Sequence, residues 1–180
     1  MKARVTFTAE DLLNNYLFVA SKSDLATRRR LKVKLLLVAG CLIGAAGSFI
    51  AHDSYTMWGF IIAGILFLLF YQFLQKVIYK QNYKKHAEDR FKALKDVVFD
   101  YDITNESIST KSSIGDVVIK TSQIESITET GSYFFIKLKS QDTITLPKHG
   151  FDYNLLSAQL NNIAAANSIA VTEELNWRWK

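Results

Sequence analysis

The sequence predicts a two-helix membrane hairpin joined to a small α+β domain. Three observations predict this fold class: two long apolar runs, basic residues on the outer flank of each run, and alternating apolar and polar positions from residue 97 onward. The formal net charge of +5 is unevenly distributed, with the basic residues concentrated beside the apolar runs. Membrane topology therefore accounts for most of the basic character, and nucleic-acid binding is not expected.

The two apolar runs cover residues 35–51 and 57–74. As helices they would extend about 26 and 27 Å, close to the roughly 30 Å thickness of a hydrocarbon core. Two buried core helices in a soluble protein are the alternative. A chain of 180 residues, however, has too little other structure to cover two helices that are apolar on all sides. The sequence therefore predicts two membrane spans.

The orientation of the hairpin follows from its flanking charges. Residues 52–56, which connect the runs, contain no Lys or Arg and are too few to carry a domain across a membrane. Because Lys and Arg are enriched in cytoplasmic segments, both termini are predicted to be cytoplasmic, with the protein a multi-pass inner-membrane protein. The flanking cations are Lys22, Arg28, Arg29, Arg30, Lys32, Lys34, Lys76, Lys80, Lys84, Lys85, Arg90, Lys92 and Lys95.

A cleaved export signal is the competing interpretation of the first run. The segment Thr27–Lys32 contains consecutive arginines ahead of an apolar stretch, as in a twin-arginine signal. Cleavage would leave the second apolar run at the new N-terminus, and the first run is long and begins late for a signal. An uncleaved hairpin is therefore favoured. Small residues on its helices predict that the two helices pack closely on each other, with a dimerisation face as the alternative. The small residues are Gly40, Gly44, Gly47 and Ser48 on the first helix, and Gly59 and Ala63 on the second.

Two shorter elements flank the hairpin. At the N-terminus, Arg4–Phe7 has strand character and Thr8–Asp11 fits a helix N-cap, so we expect an edge strand followed by an amphipathic helix. After the second span, residues 80–96 are predicted to continue the second membrane helix into the cytoplasm as a basic amphipathic helix that carries Lys84 and Lys85. A basic helix beside a membrane can attract anionic headgroups.

Beyond residue 97 the alternation predicts six strands and one helix. Asp152 is the predicted N-cap of the helix Tyr153–Asn167, with Pro147 ending the last strand. This order is typical of a pleckstrin-homology-like (PH-like) bent antiparallel sheet closed by a C-terminal helix. The predicted strands are Val97–Ile103, Ser107–Thr110, Gly115–Lys120, Glu125–Thr130, Ser132–Lys139 and Thr143–Leu146. The apolar stripe of the helix is Leu155, Leu156, Leu160, Ile163 and Ala164.

The predicted organisation has five parts. They are residues 1–34 (N-terminal strand and helix), 35–79 (hairpin), 80–96 (basic helix), 97–167 (PH-like domain) and 168–180 (tail).

The order of these elements and two short motifs resemble the YcxB-like family of bacterial membrane proteins. The motifs are the segment 146–151, Leu-Pro-Lys-His-Gly-Phe, and the N-terminal Phe7–Asp11. His149–Gly150 departs from the basic-plus-small pair of the family, which bears on anion binding by this loop. The resemblance implies that this bacterial membrane protein has a PH-like C-terminal domain. It implies no activity, because that family is uncharacterised.

No arrangement of residues predicts an enzyme, a metal site or a cofactor. His52, His86 and His149 lack partners at metal-ligand spacing, and Cys41 lies within the first apolar run. Asp100 and Asp102 share one face of a predicted strand, which is typical of a solvated surface. There is no phosphate-binding glycine loop or nucleophile elbow.

The expected function is therefore a membrane-anchored, non-enzymatic protein-interaction module with an unidentified protein partner, and a homo-oligomer is one option. The main alternative is an anionic-lipid or anion-binding module, with contacts from Lys84, Lys85, Lys148 and His149. A more distant alternative is an accessory subunit of a transporter. The tail residues 176–180 alternate Trp with a cation, which suits a membrane interface; a frayed end or packing on the sheet is the alternative.

Overall fold

The computed structural model describes residues 1–179, and the side chains of these residues except 24–27 and 72. The chain divides into two compact units. One combines Met1–Tyr16 with His86–Arg178, and the other combines Leu17–Lys85 with Trp179.

The helical unit is dominated by two long helices. Helix α1 covers Ala9–Lys22, α2 covers Asp24–Ile50 and α3 covers Ser54–Leu94. Within α2 and α3, the windows Arg28–Ile50 and Ser54–Tyr71 are long and apolar enough to cross a membrane, and only 6% of each is buried. Helices this apolar and this exposed lack the protein contacts that core helices of a soluble protein have.

The turn between α2 and α3 is shorter than the five residues predicted. His52 adopts a left-handed conformation with φ of 56°, and Asp53 caps α3. The backbone N–H of Thr56 donates to Asp53 Oδ1 at 3.1 Å, and its hydroxyl donates to Asp53 Oδ2 at 2.5 Å. Helix α3 therefore begins at Ser54, three residues ahead of the predicted span, because a side-chain cap satisfies its first turn.

The two helices of the hairpin pack through some of the small residues but not all. A Cβ on Gly44 would lie 2.7 Å from the ring of Phe60, so the ring would have to move to admit one, and a Cβ on Gly64 would lie 3.4 Å from Cys41. By contrast, a Cβ added to Gly40, Gly47 or Gly59 would meet none of the described atoms within 4 Å. Close packing is thus confined to part of the predicted small-residue stripe.

The second unit contains two four-stranded sheets. The first has strands β1 Lys2–Val5, β2 Phe99–Ile103, β3 Ser107–Ser112 and β4 Gly115–Lys120, all antiparallel and in that spatial order. The N-terminal strand pairs with β2, with Val5 opposite Phe99, so the predicted edge strand is confirmed. It begins and ends two residues earlier than the predicted Arg4–Phe7. The predicted N-cap of α1 is also confirmed, because Asp11 N–H donates to Thr8 Oγ1 at 3.1 Å.

The second sheet has the order β7-β6-β5-β8. Its strands are β5 Ile124–Thr130, β6 Tyr133–Leu138, β7 Thr143–Pro147 and β8 Ala170–Glu174, with helix α4 Tyr153–Asn167 between the last two. Strand β8 pairs in parallel with β5 and was not predicted, since its segment lies within the predicted tail. It is only five residues long and mostly exposed, so it lacks the apolar alternation that marks the other strands.

A single apolar core draws on both sheets and on α4. The N-cap Asp152 accepts from Leu155 N–H at 3.0 Å, as predicted. Leu155 itself is 62% exposed, however, so it does not belong to the buried stripe of α4. It lies one residue from Leu156, which places it about 100° around the helix from the core. The core residues are Val5, Tyr101, Ile103, Ile108, Ile124, Ile127, Phe134, Ile136, Leu138, Leu146, Leu156, Leu160, Ile163 and Ala164.

Candidate functional site

Lys148, a predicted anion contact, forms an ion pair within the domain. It opens the 3-10 turn Lys148–Gly150 between β7 and α4. Its Nζ lies 2.6 Å from Glu129 Oε1, and the two side chains are only 15% and 10% exposed. The ammonium also lies 4.9 Å from the ring centres of Phe134 and Tyr153. An anion at this position would have to compete with a carboxylate that is already in place.

Glu129 is the residue of this pair that sequence reasoning missed. It lies on β5 two residues after Ile127, so strand alternation directs both side chains to the inward face. An acidic residue at a core-facing position requires a cationic partner. The position of Glu129 in the strand pattern could therefore have predicted a buried ion pair. The hydroxyl of Tyr153 donates to the same Oε1 at 3.1 Å, and this hydrogen bond raises the pKa of Tyr153.

His149, the second predicted contact in this turn, lies beside a different carboxylate. Its Nε2 is 3.7 Å from Oδ2 of Asp11, whose side chain is 3% exposed. Asp11 also accepts from the Thr8 backbone N–H at 2.7 Å and from the Tyr133 hydroxyl at 2.9 Å. Burial, followed by the contact with Asp11, raises the pKa of Tyr133, although a hydrogen bond from Asn14 opposes this. Asp11 thus joins the first turn of α1 to the second sheet.

Lys84 and Lys85 are the other two predicted contacts. Both lie on exposed positions of α3, within the helical unit. The predicted set of four therefore has two different environments: exposed lysines on a helix, and a turn whose cation and imidazole lie beside buried carboxylates.

The hairpin has a basic and aromatic cluster at the end opposite its turn. The guanidinium of Arg30 lies 5.1 Å from the ring centre of Tyr79 and 5.0 Å from that of Trp179. Trp179 also donates its indole N–H to the Lys76 carbonyl at 3.3 Å and packs edge-on against Tyr83. Trp179, near the end of the predicted tail, is therefore packed within the helical unit. The final Lys180 lies outside the described residues.

Asp100 and Asp102 form a solvated face, as predicted. Asp100 accepts from Arg4 Nε at 2.9 Å, and Asp102 lies 3.7 Å from Lys2 Nζ. Both carboxylates are about half exposed, and the hydrogen bond to Asp100 raises the pKa of Arg4. These cross-strand pairs join β1 to β2. Within residues 1–179, no group of three His, Cys, Asp or Glu side chains is positioned to hold a metal ion.

The open sheet edges are the remaining surface of note. In the first sheet, among residues 1–179, β4 pairs on one side only, and Val117 and Val118 are 54% and 68% exposed. In the second sheet β8 occupies an outer position and Val171 is 43% exposed. Strands with one unpaired side present a row of main-chain donors and acceptors.

Fold and site together define a protein with two long apolar helices in a hairpin and a small two-sheet α+β domain. The model of the YcxB-like protein family matches residues 103–160, from the end of β2 into α4, which confirms the family resemblance predicted from sequence. Comparison with curated proteins gives no match. Comparison with solved structures also gives none.

Proposed function

We propose that this chain is a membrane-anchored, non-enzymatic protein-interaction module of the bacterial inner membrane. The observation that carries the proposal is the hairpin: each of its apolar windows is only 6% buried, yet the same chain supplies a domain with unpaired strand edges. Such helices gain their stability in lipid, and such edges are suited to adding a strand from a partner.

The small domain is PH-like under this proposal. Supporting features are two four-stranded sheets followed by a helix that contributes Leu156, Leu160 and Ile163 to their shared core. The parallel strand β8 is an addition to the usual PH-like order. A fold of this kind supports many functions, so binding depends on the surface that the domain presents.

The topology is the first part to test. In a Cys41→Ala background, single cysteines replace Lys2 and Tyr55, and intact cells are treated with a membrane-impermeant maleimide. Tyr55 is 94% exposed at the start of α3, so we expect its cysteine to react from outside. The cysteine at position 2 should react only after lysis, since the flanking charges favour a cytoplasmic N-terminus. The reverse pattern would overturn the orientation, and cleavage after the first helix would support an export signal.

An anionic-lipid or anion-binding module is the second candidate. The exposed positions of Lys84 and Lys85 on α3 favour it, because each basic residue near an anionic surface contributes about 1 kcal/mol. Crosslinking in membranes, followed by mass spectrometry of proteins and lipids, compares the native chain with Lys84→Gln/Lys85→Gln. A protein partner retained by the variant supports the interaction module. An anionic lipid that is lost with the lysines, and lost at high ionic strength, supports the lipid-binding module.

An accessory role in a transporter is the third and most distant candidate. Its support is the open surface at Gly40, Gly47 and Gly59, where another transmembrane helix could approach closely. Recovery of a multi-pass transport protein in the same crosslinking experiment, dependent on these glycines, would favour it over the other two.

A further inference from the structure

Strand β4 lies at the edge of the first sheet and combines the apolar residues 117–119 with Asp116 and Lys120. Its residues from Gly115 to Val118 are all exposed, and Ile114 in the preceding turn is 59% exposed. Proteins commonly protect such an edge with a bulge, a proline or charged side chains, especially lysine. Gly115–Lys120 has no proline and its ladder with β3 is regular, so Asp116 and Lys120 are its protective residues, and they oppose pairing only with a strand that does not match their charges.

The hydrogen-bond pattern determines which residues face the open side of β4. Thr121 N–H donates to the Glu106 carbonyl at 2.9 Å, and the register continues with Ile119 opposite Ile108. Hydrogen-bonded pairs alternate along an antiparallel ladder, so residues 117 and 119 bond to β3. Asp116, Val118 and Lys120 therefore direct their main-chain groups away from the sheet.

The charges on these three residues are self-complementary. If two β4 strands pair antiparallel with Val118 opposite Val118, each Asp116 lies opposite the Lys120 of the other copy. Their side chains share one face of the sheet, where opposite charges in direct register attract. On the other face Val117 lies opposite Ile119, and both are apolar. About six main-chain hydrogen bonds form along the seam.

We infer that the partner of the β4 edge is a second copy of this chain, paired through a two-fold axis at Val118. The inference rests on the proposed interaction function and names its surface and its partner. The edge at β8 lacks this property, because Ala170–Glu174 contains two acidic residues and no basic one. A two-fold contact uses the same patch on both copies, as this register requires. Confinement of both copies to one membrane raises their effective concentration.

Crosslinking of single cysteines in native membranes tests the contact. In a Cys41→Ala background, Val118→Cys is treated with a thiol crosslinker of about 5 Å reach, the spacing of facing residues in an antiparallel pair. Ser109→Cys is the matched control, since Ser109 is the partner of Val118 on β3, one strand further from the proposed axis. We expect a dimer from Val118→Cys and none from Ser109→Cys.

Charge reversal tests the register. Asp116→Lys would place cations opposite one another at both ends of the seam, and we expect the Val118→Cys dimer to fall about tenfold. The double change Asp116→Lys/Lys120→Asp restores opposite charges and should restore the dimer. The inference would be overturned if Asp116→Lys left the dimer yield unchanged. It would also be overturned if the double change failed to restore that yield.

The outcomes separate this inference from the proposed function. A Val118→Cys adduct with a different protein would overturn self-pairing while leaving the interaction module supported. Equal dimer yields from Val118→Cys and Ser109→Cys would indicate nonspecific collision and also overturn it. A chain that fractionates away from membranes would refute the proposed anchor itself, whatever the behaviour of β4.

Discussion

The ion pair between Lys148 and Glu129 provides the most informative single test of the structure. If Lys148 is an anion contact, its loss should abolish binding and leave the fold intact. The structure predicts a different result, because the ammonium lies 2.6 Å from Glu129 Oε1 with both side chains largely buried. The perturbation is a double-mutant cycle of Glu129→Gln, Lys148→Met and their combination.

The expected magnitudes follow from the burial. Removing one partner of a fully buried pair costs about 3–5 kcal/mol, since the other charge remains without compensation. The side chains here keep 15% and 10% exposure, so some solvation remains and each single change should cost about 2–4 kcal/mol. Lys148→Met also loses the cation–π contacts with Phe134 and Tyr153, worth about 0.5–1 kcal/mol each. The neutral double variant leaves no uncompensated charge and loses only the cation–π contacts, so it should lie within about 2 kcal/mol of the native chain.

The assay is thermal unfolding of the full-length chain in detergent, followed by near-ultraviolet circular dichroism. A loss of about 2–4 kcal/mol corresponds to a fall in Tm of about 8–16 °C for a domain of this size. Amide hydrogen exchange of β6, the strand between β5 and β7, provides a local readout. A Lys148→Met variant with native Tm, or a double variant whose loss equals the sum of the single losses, would refute a structural pair.

Three further changes test other parts of the structure. Gly150→Ala should cost about 1–3 kcal/mol, because its new Cβ would lie 2.8 Å from Val5 of strand β1, which is measurable as a lower Tm. Burial raises the pKa of Tyr101 to about 12 from an unfolded value of 10.0. Between these two pH values the folded state therefore binds more protons than the unfolded state. Stability present below pH 10 should therefore fall by about 2–3 kcal/mol as the pH rises to 12, and Tyr101→Phe should reduce this loss. In the hairpin, Gly44→Leu should lower the melting temperature of the helices, whereas Gly47→Leu should leave it unchanged, since only the first would meet an aromatic ring.

Each of these has a result that contradicts it. A native Tm for Gly150→Ala would mean that β1 does not pack closely against the 3-10 turn. An equal alkaline loss in Tyr101→Phe would assign the loss to other groups. Equal effects of leucine at positions 44 and 47 would mean that the helices of the hairpin do not pack closely at Gly44.

Much of the fold could be predicted from periodicity and caps alone. Gly115–Lys120 and Tyr153–Asn167 have the predicted bounds, and Asp152 is the predicted cap. These features depend on interactions within a few residues: the alternation of a strand, the apolar stripe of a helix and the side-chain oxygen that begins it. The apolar windows of α2 and α3 are likewise a local property of composition.

What the sequence determined by itself was therefore local: the two apolar helices with their charged flanks, most strands, and the family resemblance over residues 103–160. The tertiary structure decided which distant residues meet. Lys148 was predicted as an anion contact, but β5 brings Glu129 to its ammonium from nineteen positions earlier in the chain. Strand β8 exists because α4 returns the chain beside β5, and a parallel partner of that kind has no signature in five mostly exposed residues. Pairing across a fold depends on topology, which short-range patterns do not encode.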